Sequence, residues 1–133
     1  AENVVALSIA EDAGATEAIF ANTRGELCEG TGTNVVLGTD GELRTPPLRS
    51  GCLAGVTRAL LVEAMASAGT PVLEEDLPVD ALARCDEAFL LSTGREVQPI
   101  RAVDARVLPG APGPLTERAM AVWDAAYSDV TDP

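Results

Sequence analysis

The sequence predicts one α/β domain, in which helices pack against a mixed β-sheet. Short apolar segments alternate with turn signals such as Asp40-Gly41, a pattern typical of hairpins, and other segments carry apolar residues at helical spacing. The 133 residues, of which 47% are hydrophobic, suffice for one core but not for two. Because only 3% are aromatic, we expect a core of Ala, Val, Leu and Ile.

The predicted strands are the short apolar segments that Gly, Pro, Asn or Asp residues interrupt. In chain order they cover residues 17–21, 26–29, 34–37, 42–44, 71–76, 87–91, 97–103 and 106–108. A tight turn at 22–25 joins the first two strands, and Thr45-Pro46-Pro47 ends the fourth.

The predicted helices are the segments whose apolar residues recur every three or four positions. In chain order they cover residues 3–13, 57–67, 77–83 and 115–127. Gly14 and Gly69 follow the first two helices, as glycine does at many helix ends.

The charge of the chain restricts its partners. The formal net charge is -12 and the pI is about 4.2, which argues against nucleic acid and against an anionic membrane surface. A local anion site is still compatible with this charge, because the N-terminus of a helix can bind phosphate inside an acidic protein.

The basic residues restrict the chemistry further. Histidine is absent, and all nine basic residues are Arg, so the chain contains no lysine. These absences exclude a histidine-based triad, a histidine metal site and a Schiff base on a lysine of this chain.

The three cysteines, Cys28, Cys52 and Cys85, are odd in number and far apart in sequence. They indicate neither a disulfide framework nor a zinc site, and we expect free thiols in a reducing cytoplasm. The acidic N-terminal segment is unlike a signal peptide, and no apolar run is long enough to span a bilayer.

Several ordered blocks carry a family resemblance. They are Glu29-Gly30-Thr31-Gly32-Thr33-Asn34, residues 40–47, Leu53-Ala54-Gly55-Val56-Thr57-Arg58, residues 86–93 and Val97-Gln98-Pro99-Ile100. Together the chain resembles the class IV aminotransferases, which are pyridoxal-phosphate enzymes and include branched-chain and D-amino-acid aminotransferases and aminodeoxychorismate lyase. The resemblance implies the larger, C-terminal domain of a fold type IV enzyme, with pyridoxal 5'-phosphate as cofactor, amino acids and 2-oxo acids as substrates, and a homodimer at full length.

Within this resemblance, Glu29 matches the glutamate that faces the pyridine nitrogen of the cofactor. An ionised carboxylate beside that nitrogen keeps it protonated, and a protonated ring is the better electron sink. Without the surrounding block, Glu29 would be interpreted as an ordinary strand residue.

Gly55, Val56 and Thr57 match the turn that holds the cofactor phosphate at the start of a helix. Thr57 alone is equally compatible with a helix N-cap. Leu53 matches a residue that packs on one face of the ring, although a core leucine would look the same.

Ser92 and Thr93 match a second hydroxyl contact to the phosphate; as a lone pair they are more typical of a turn. The next residues, Gly94-Arg95-Glu96, fit neither the branched-chain nor the lyase pattern, so transaminase and lyase both stay open. Arg58 is interpreted as an ion-pair residue and Asn34 as structural, while residues 74–76 are expected to be a solvated acidic strand end.

The family's lysine and its phosphate-binding arginine are expected upstream of Ala1, so we expect this chain to be inactive alone. A hypothesis of another class is a non-catalytic domain that binds a phosphorylated ligand or a partner chain. The absence of lysine favours that hypothesis, whereas the presence of Glu29 speaks against it.

Overall fold

The computed structural model describes residues 4–9, 16–21, 26–30, 33–52, 54–104 and 106–127. The strands and helices of this part are β1 (Val4–Ile9), β2 (Thr16–Ala21), β3 (Leu27–Gly30), β4 (Asn34–Thr39), β5 (Glu42–Thr45), α1 (Val56–Ser67), β6 (Val72–Glu74), β7 (Glu87–Ser92), β8 (Glu96–Val103), β9 (Arg106–Val107) and α2 (Pro114–Tyr127). Two short 3₁₀ helices, Leu48–Ser50 and Val79–Ala83, precede α1 and β7. The α/β class is confirmed.

The described strands form a nine-stranded mixed sheet. Its order is β3-β2-β1-β8-β7-β4-β5-β6, and β9 pairs with β8. Strands β5 and β6 are parallel, while the other named pairs are antiparallel. A parallel pair needs a crossover connection, and α1 supplies it. The predicted Asp40-Gly41 hairpin is confirmed, with φ values of 52° and 79° that suit this turn.

Strand β7 lies at the centre of the packing. Ala88 and Leu90 belong to one buried cluster, while Phe89 and Leu91 belong to another. Because successive side chains of a strand point to opposite faces, these residues show that β7 is covered on both faces. Both helices contribute residues to the second cluster, so they pack on the same face of the sheet.

Helix α1 buries one face against this sheet. Leu61 and Met65, four residues apart, are fully buried. The helix ends before Gly69, which has a φ of 83° that a side chain would make unfavourable. The predicted boundaries 57–67 are confirmed to within one residue.

The buried carboxylate of Glu87 caps the N-terminus of helix α2. The side chain of Glu87 is only 3% exposed, and it accepts hydrogen bonds from the backbone N–H groups of Leu115 (3.2 Å) and Thr116 (2.6 Å). The Thr116 hydroxyl donates a third bond to it at 2.8 Å. The carboxylate therefore satisfies N–H groups at the helix N-terminus, where a negative charge is also favoured by the helix dipole.

The helix predicted over residues 3–13 is wrong. Residues Val4–Ile9 instead form β1, which lies between β2 and β8. Val4, Val5 and Ile9 are β-branched and suit a strand. Pairing with β2 and β8 provides partners for the backbone hydrogen-bonding groups on both sides of β1, and the periodicity of the sequence carries no information about such pairing. The predictions for Gly14 and for the turn at 22–25 lie outside the described residues.

Cys52 and Cys85 are free and buried. Burial raises the pKa of the Cys85 thiol, and the nearby Arg106 guanidinium opposes that shift. Among the described residues, neither helix has the length and apolar character needed to cross a bilayer.

We predict that Glu87→Ala lowers the free energy of unfolding by about 3 kcal/mol, because it leaves two N–H groups of α2 without their acceptor. Glu87→Gln should lose only about 1 kcal/mol, since one amide oxygen still accepts. Urea denaturation of both variants measures the difference, and equal losses would show that the carboxylate does not cap α2.

Candidate functional site

The start of α1 and the end of β7 meet at a small cavity. Its volume is about 60 Å³. All of its lining residues are uncharged: Asn34, Gly55, Val56, Thr57, Leu91, Ser92 and Thr93. Gly55, Val56, Thr57, Ser92 and Thr93, which the sequence predicts as one site, are thus brought together.

The N-terminus of α1 faces this cavity without a side-chain cap. Gly55 is the N-cap residue, and no side-chain hydrogen bond caps the helix. Thr57 is the second residue of the helix, so its interpretation as the N-cap is wrong. The first N–H groups of a helix have no partner within it, and they carry its positive dipole end. This turn can therefore accept an anion.

Gly55 is in close contact with Asn34. A Cβ atom added at Gly55 would lie 2.5 Å from Asn34 Oδ1, which is too close for a side chain. Asn34 is 3% exposed, so it has little room to move away. From the sequence, Asn34 is assigned a structural role only; its position as the polar residue at the start of the apolar strand β4 was the available signal.

Ser92 and Thr93 differ in their surroundings. The Ser92 hydroxyl oxygen accepts a hydrogen bond from the Arg95 backbone N–H at 3.1 Å, so Ser92 stabilises the turn that follows β7. Thr93 is exposed and has no such role in the described contacts. Both interpretations of this pair, turn and binding, therefore remain compatible with the geometry.

A larger cavity of about 260 Å³ shares Val56, Thr57 and Thr93 with the first one. Its remaining lining residues are Leu60, Glu96, Trp123 and Tyr127. The rings of Trp123 and Tyr127 lie with their centroids 4.4 Å apart, and the Tyr127 hydroxyl donates to the Leu60 carbonyl oxygen at 3.2 Å. Thus α2 forms one wall beside the start of α1.

Arg58 fastens the first turn of α1 to the residues that follow β5 and to β6. Its guanidinium is buried and donates to the Pro46 carbonyl oxygen (3.1 Å) and to Glu74 Oε1 (2.6 Å). The ion-pair interpretation of Arg58 is confirmed. The acidic run 74–76 is exposed as expected, and the other two members also pair with arginines: Glu75 with Arg44 and Asp76 with Arg49. In the described part of the chain, no three potential ligands cluster to hold a metal ion.

Glu29 lies in β3, paired with Phe20 of β2. It precedes Asn34 by five residues, so the chain passes from Glu29 to the cavity within one short connection. The side chain of Glu29 and the whole of Leu53 lie outside the described residues. Their predicted roles therefore stay predictions.

Comparison with known proteins places this arrangement in a family. The family model "Amino-transferase class IV" matches residues 1–103, which include both halves of the cavity. The chain belongs to the class IV aminotransferases. It is 34% identical over 131 residues to the branched-chain-amino-acid aminotransferase of Pseudomonas aeruginosa, a match that covers 98% of this chain and 42% of that protein.

Two solved structures of class IV aminotransferase relatives share the fold. The branched-chain amino acid aminotransferase of Thermobaculum terrenum, in its PLP form, matches with a TM-score of 0.76 and 34% identity over 84% of this chain and 38% of that one. The 4-amino-4-deoxychorismate lyase of Pseudomonas aeruginosa matches with a TM-score of 0.76 and 34% identity, over 88% and 43%. The chain thus spans less than half of each relative.

We predict that Arg58→Met destabilises the protein by about 2–3 kcal/mol, because the buried Pro46 carbonyl loses its donor and Glu74 loses its partner. Glu74→Gln should cost only about 0–1 kcal/mol, since this side chain is 44% exposed and the amide oxygen still accepts. Thermal or urea unfolding compares the two variants, and the reverse order would contradict the anchoring role.

Proposed function

We propose that this chain is the C-terminal, cofactor-binding part of a pyridoxal-phosphate-dependent aminotransferase that transfers an amino group between an amino acid and a 2-oxo acid. The observation that carries the proposal is the shared cavity: Thr57 and Thr93, far apart in sequence, line it together with the uncapped start of α1. Such a site suits a phosphate group, and the PLP form of the Thermobaculum terrenum relative supports the choice of phosphate ester.

The residues present fit a cofactor phosphate. The N-cap residue Gly55 has no Cβ, so backbone can approach a ligand closely, and the lining is uncharged. In the proposed site, the N–H groups of Val56 and Thr57 and the Thr57 hydroxyl donate to phosphate oxygens, and the Thr93 hydroxyl donates from the facing turn.

Glu29 has the proposed role of holding a proton on the pyridine nitrogen. A carboxylate within a few Å favours the protonated, charged form of that nitrogen. When bound, pyridoxal phosphate supplies an electron sink for the electrons released as the substrate loses its α-proton. A site for a phosphorylated ligand alone would have no need of this carboxylate.

The amine that reacts with the cofactor has to come from outside these 133 residues, because the chain contains no lysine. Arginine cannot replace it, since its guanidinium stays protonated. The proposal therefore describes a longer protein; the family resemblance implies that its lysine and a second domain lie outside this chain and that it is a homodimer.

A second candidate is an aminodeoxychorismate lyase, which would use the same cofactor site to release 4-aminobenzoate and pyruvate. The similarity to the Pseudomonas aeruginosa lyase supports it to the same degree as the aminotransferase, because its identity and TM-score equal those of the Thermobaculum aminotransferase. The residues that follow Thr93, Gly94-Arg95-Glu96, fit neither the branched-chain nor the lyase pattern, and so they favour neither function.

Spectroscopic assays on the whole protein distinguish these functions. We expect oxo acid formation from an amino acid donor, lost by about a hundredfold or more in Glu29→Gln, which corresponds to a few kcal/mol of barrier. Formation of 4-aminobenzoate instead would establish the lyase. Cofactor binding without either reaction, or an unchanged rate in Glu29→Gln, would contradict the proposed mechanism.

We further predict that Thr57→Val weakens cofactor binding by about 1.5–3 kcal/mol, the range for a hydrogen bond to a charged group. Thr57→Ser keeps the hydroxyl and should bind nearly as tightly as the parent protein. Equilibrium dialysis of the cofactor-free protein measures both. Equal losses in the two variants would show that packing of the Thr57 methyl group, not its hydroxyl, is what matters.

A further inference from the structure

Asn34 lies where three elements meet: β4, the turn after β7 and the start of α1. The family motif gives no reason for this arrangement. Asn34 is the first residue of β4 and pairs with Leu91 of β7, the residue just before Ser92. Its side chain also touches the N-cap residue of α1, since a Cβ on Gly55 would lie 2.5 Å from Asn34 Oδ1. Asn34 therefore lies between the two turns that carry the hydroxyls.

We infer that Asn34 is a positioning residue for the anion site: its neutral side chain sets the separation of the α1 N-terminus from the turn after β7. The inference rests on the proposed binding of a phosphorylated cofactor at this cavity.

Burial makes the side chain a fixed spacer. Asn34 is 3% exposed and lines the cavity itself. Its backbone is held in the sheet by β7, and its amide is confined by Gly55. A shorter side chain would remove the contact with Gly55. Asn34 thus acts on the anion through the position of the helix.

The absence of charge on Asn34 matters as much as its size. Aspartate has nearly the same shape, but its carboxylate would lie on the cavity wall beside a bound anion. Two like charges a few Å apart repel strongly where water is excluded. A spacer of this size at this place therefore has to be uncharged, and this requirement separates a positioning role from simple packing.

The test uses the whole protein freed of cofactor, with pyridoxal 5'-phosphate as the probe and pyridoxal as its phosphate-free counterpart. Asn34→Asp should weaken binding of the phosphate form by about a hundredfold at pH 8 and should leave pyridoxal binding nearly unchanged. Burial and the neighbouring phosphate both raise the pKa of the new carboxyl, so its protonation as the pH falls to about 5.5 should restore part of the affinity relative to the parent protein.

Two further variants complete the set. Asn34→Ala should lose about tenfold in affinity at either pH, because it removes the spacer without adding charge. Gln98→Glu adds the same charge on β8, at a residue that does not line the cavity, and should stay within about twofold of the parent. Calorimetry gives the affinities, and circular dichroism establishes that each variant is folded.

The outcomes separate the two hypotheses. If the parent protein fails to bind pyridoxal 5'-phosphate, the proposed function and this inference both fail. If the parent binds but Asn34→Asp behaves like Gln98→Glu, or loses equal affinity at both pH values, the inference alone is overturned. Should Asn34→Asp not fold, unchanged affinity in Asn34→Ala would overturn it as well.

Discussion

The register of β7 between β4 and β8 is the constraint on which the rest of the described structure depends. Because β7 is buried on both faces, Ala88 and Leu90 enter one apolar cluster while Phe89 and Leu91 enter the other. A slip of one residue would exchange these pairs and would turn the carboxylate of Glu87 away from α2. The sheet register and the position of α2 are therefore specified together, which favours a single arrangement over several similar ones.

The same register determines the geometry of the candidate site. Pairing of Asn34 with Leu91 brings the start of β4 beside the turn that contains Ser92 and Thr93. Helix α1 is placed by Leu61 in the core, by the buried Arg58 next to its first turn and by the contact of its N-cap residue with Asn34. The two hydroxyls that we assign to phosphate binding thus belong to elements that pack on one another through buried residues. Their alignment follows from packing, and a ligand does not have to organise it.

The sequence predicted those parts of the fold whose signals are local. The Asp40-Gly41 hairpin and the two long helices are specified by turn chemistry and by apolar spacing. Residues 4–9 carry apolar side chains that satisfy both helical and strand spacing, and only pairing with β2 and β8 decides between them. Glu87 could not be recognised as a cap, because its partners are 28 and 29 residues away in sequence. Ordered motifs predicted most of the residues that line the smaller cavity. The contact of Asn34 with Gly55 joins two elements across the fold, so the sequence could not predict it.

The neutral lining of the proposed phosphate site has a consequence for selectivity. Every residue that lines the smaller cavity is neutral, in a chain whose formal net charge is -12. Within this chain, attraction comes from N–H groups, hydroxyls and the dipole of α1, which act over a short range; the phosphate-binding arginine that the family resemblance implies would lie outside it. An anion displaced by about an ångström would lose most of those hydrogen bonds, since they weaken steeply with distance and angle. In the part of the proposed site that this chain supplies, discrimination is therefore geometric, and it depends on the close contact between Gly55 and Asn34.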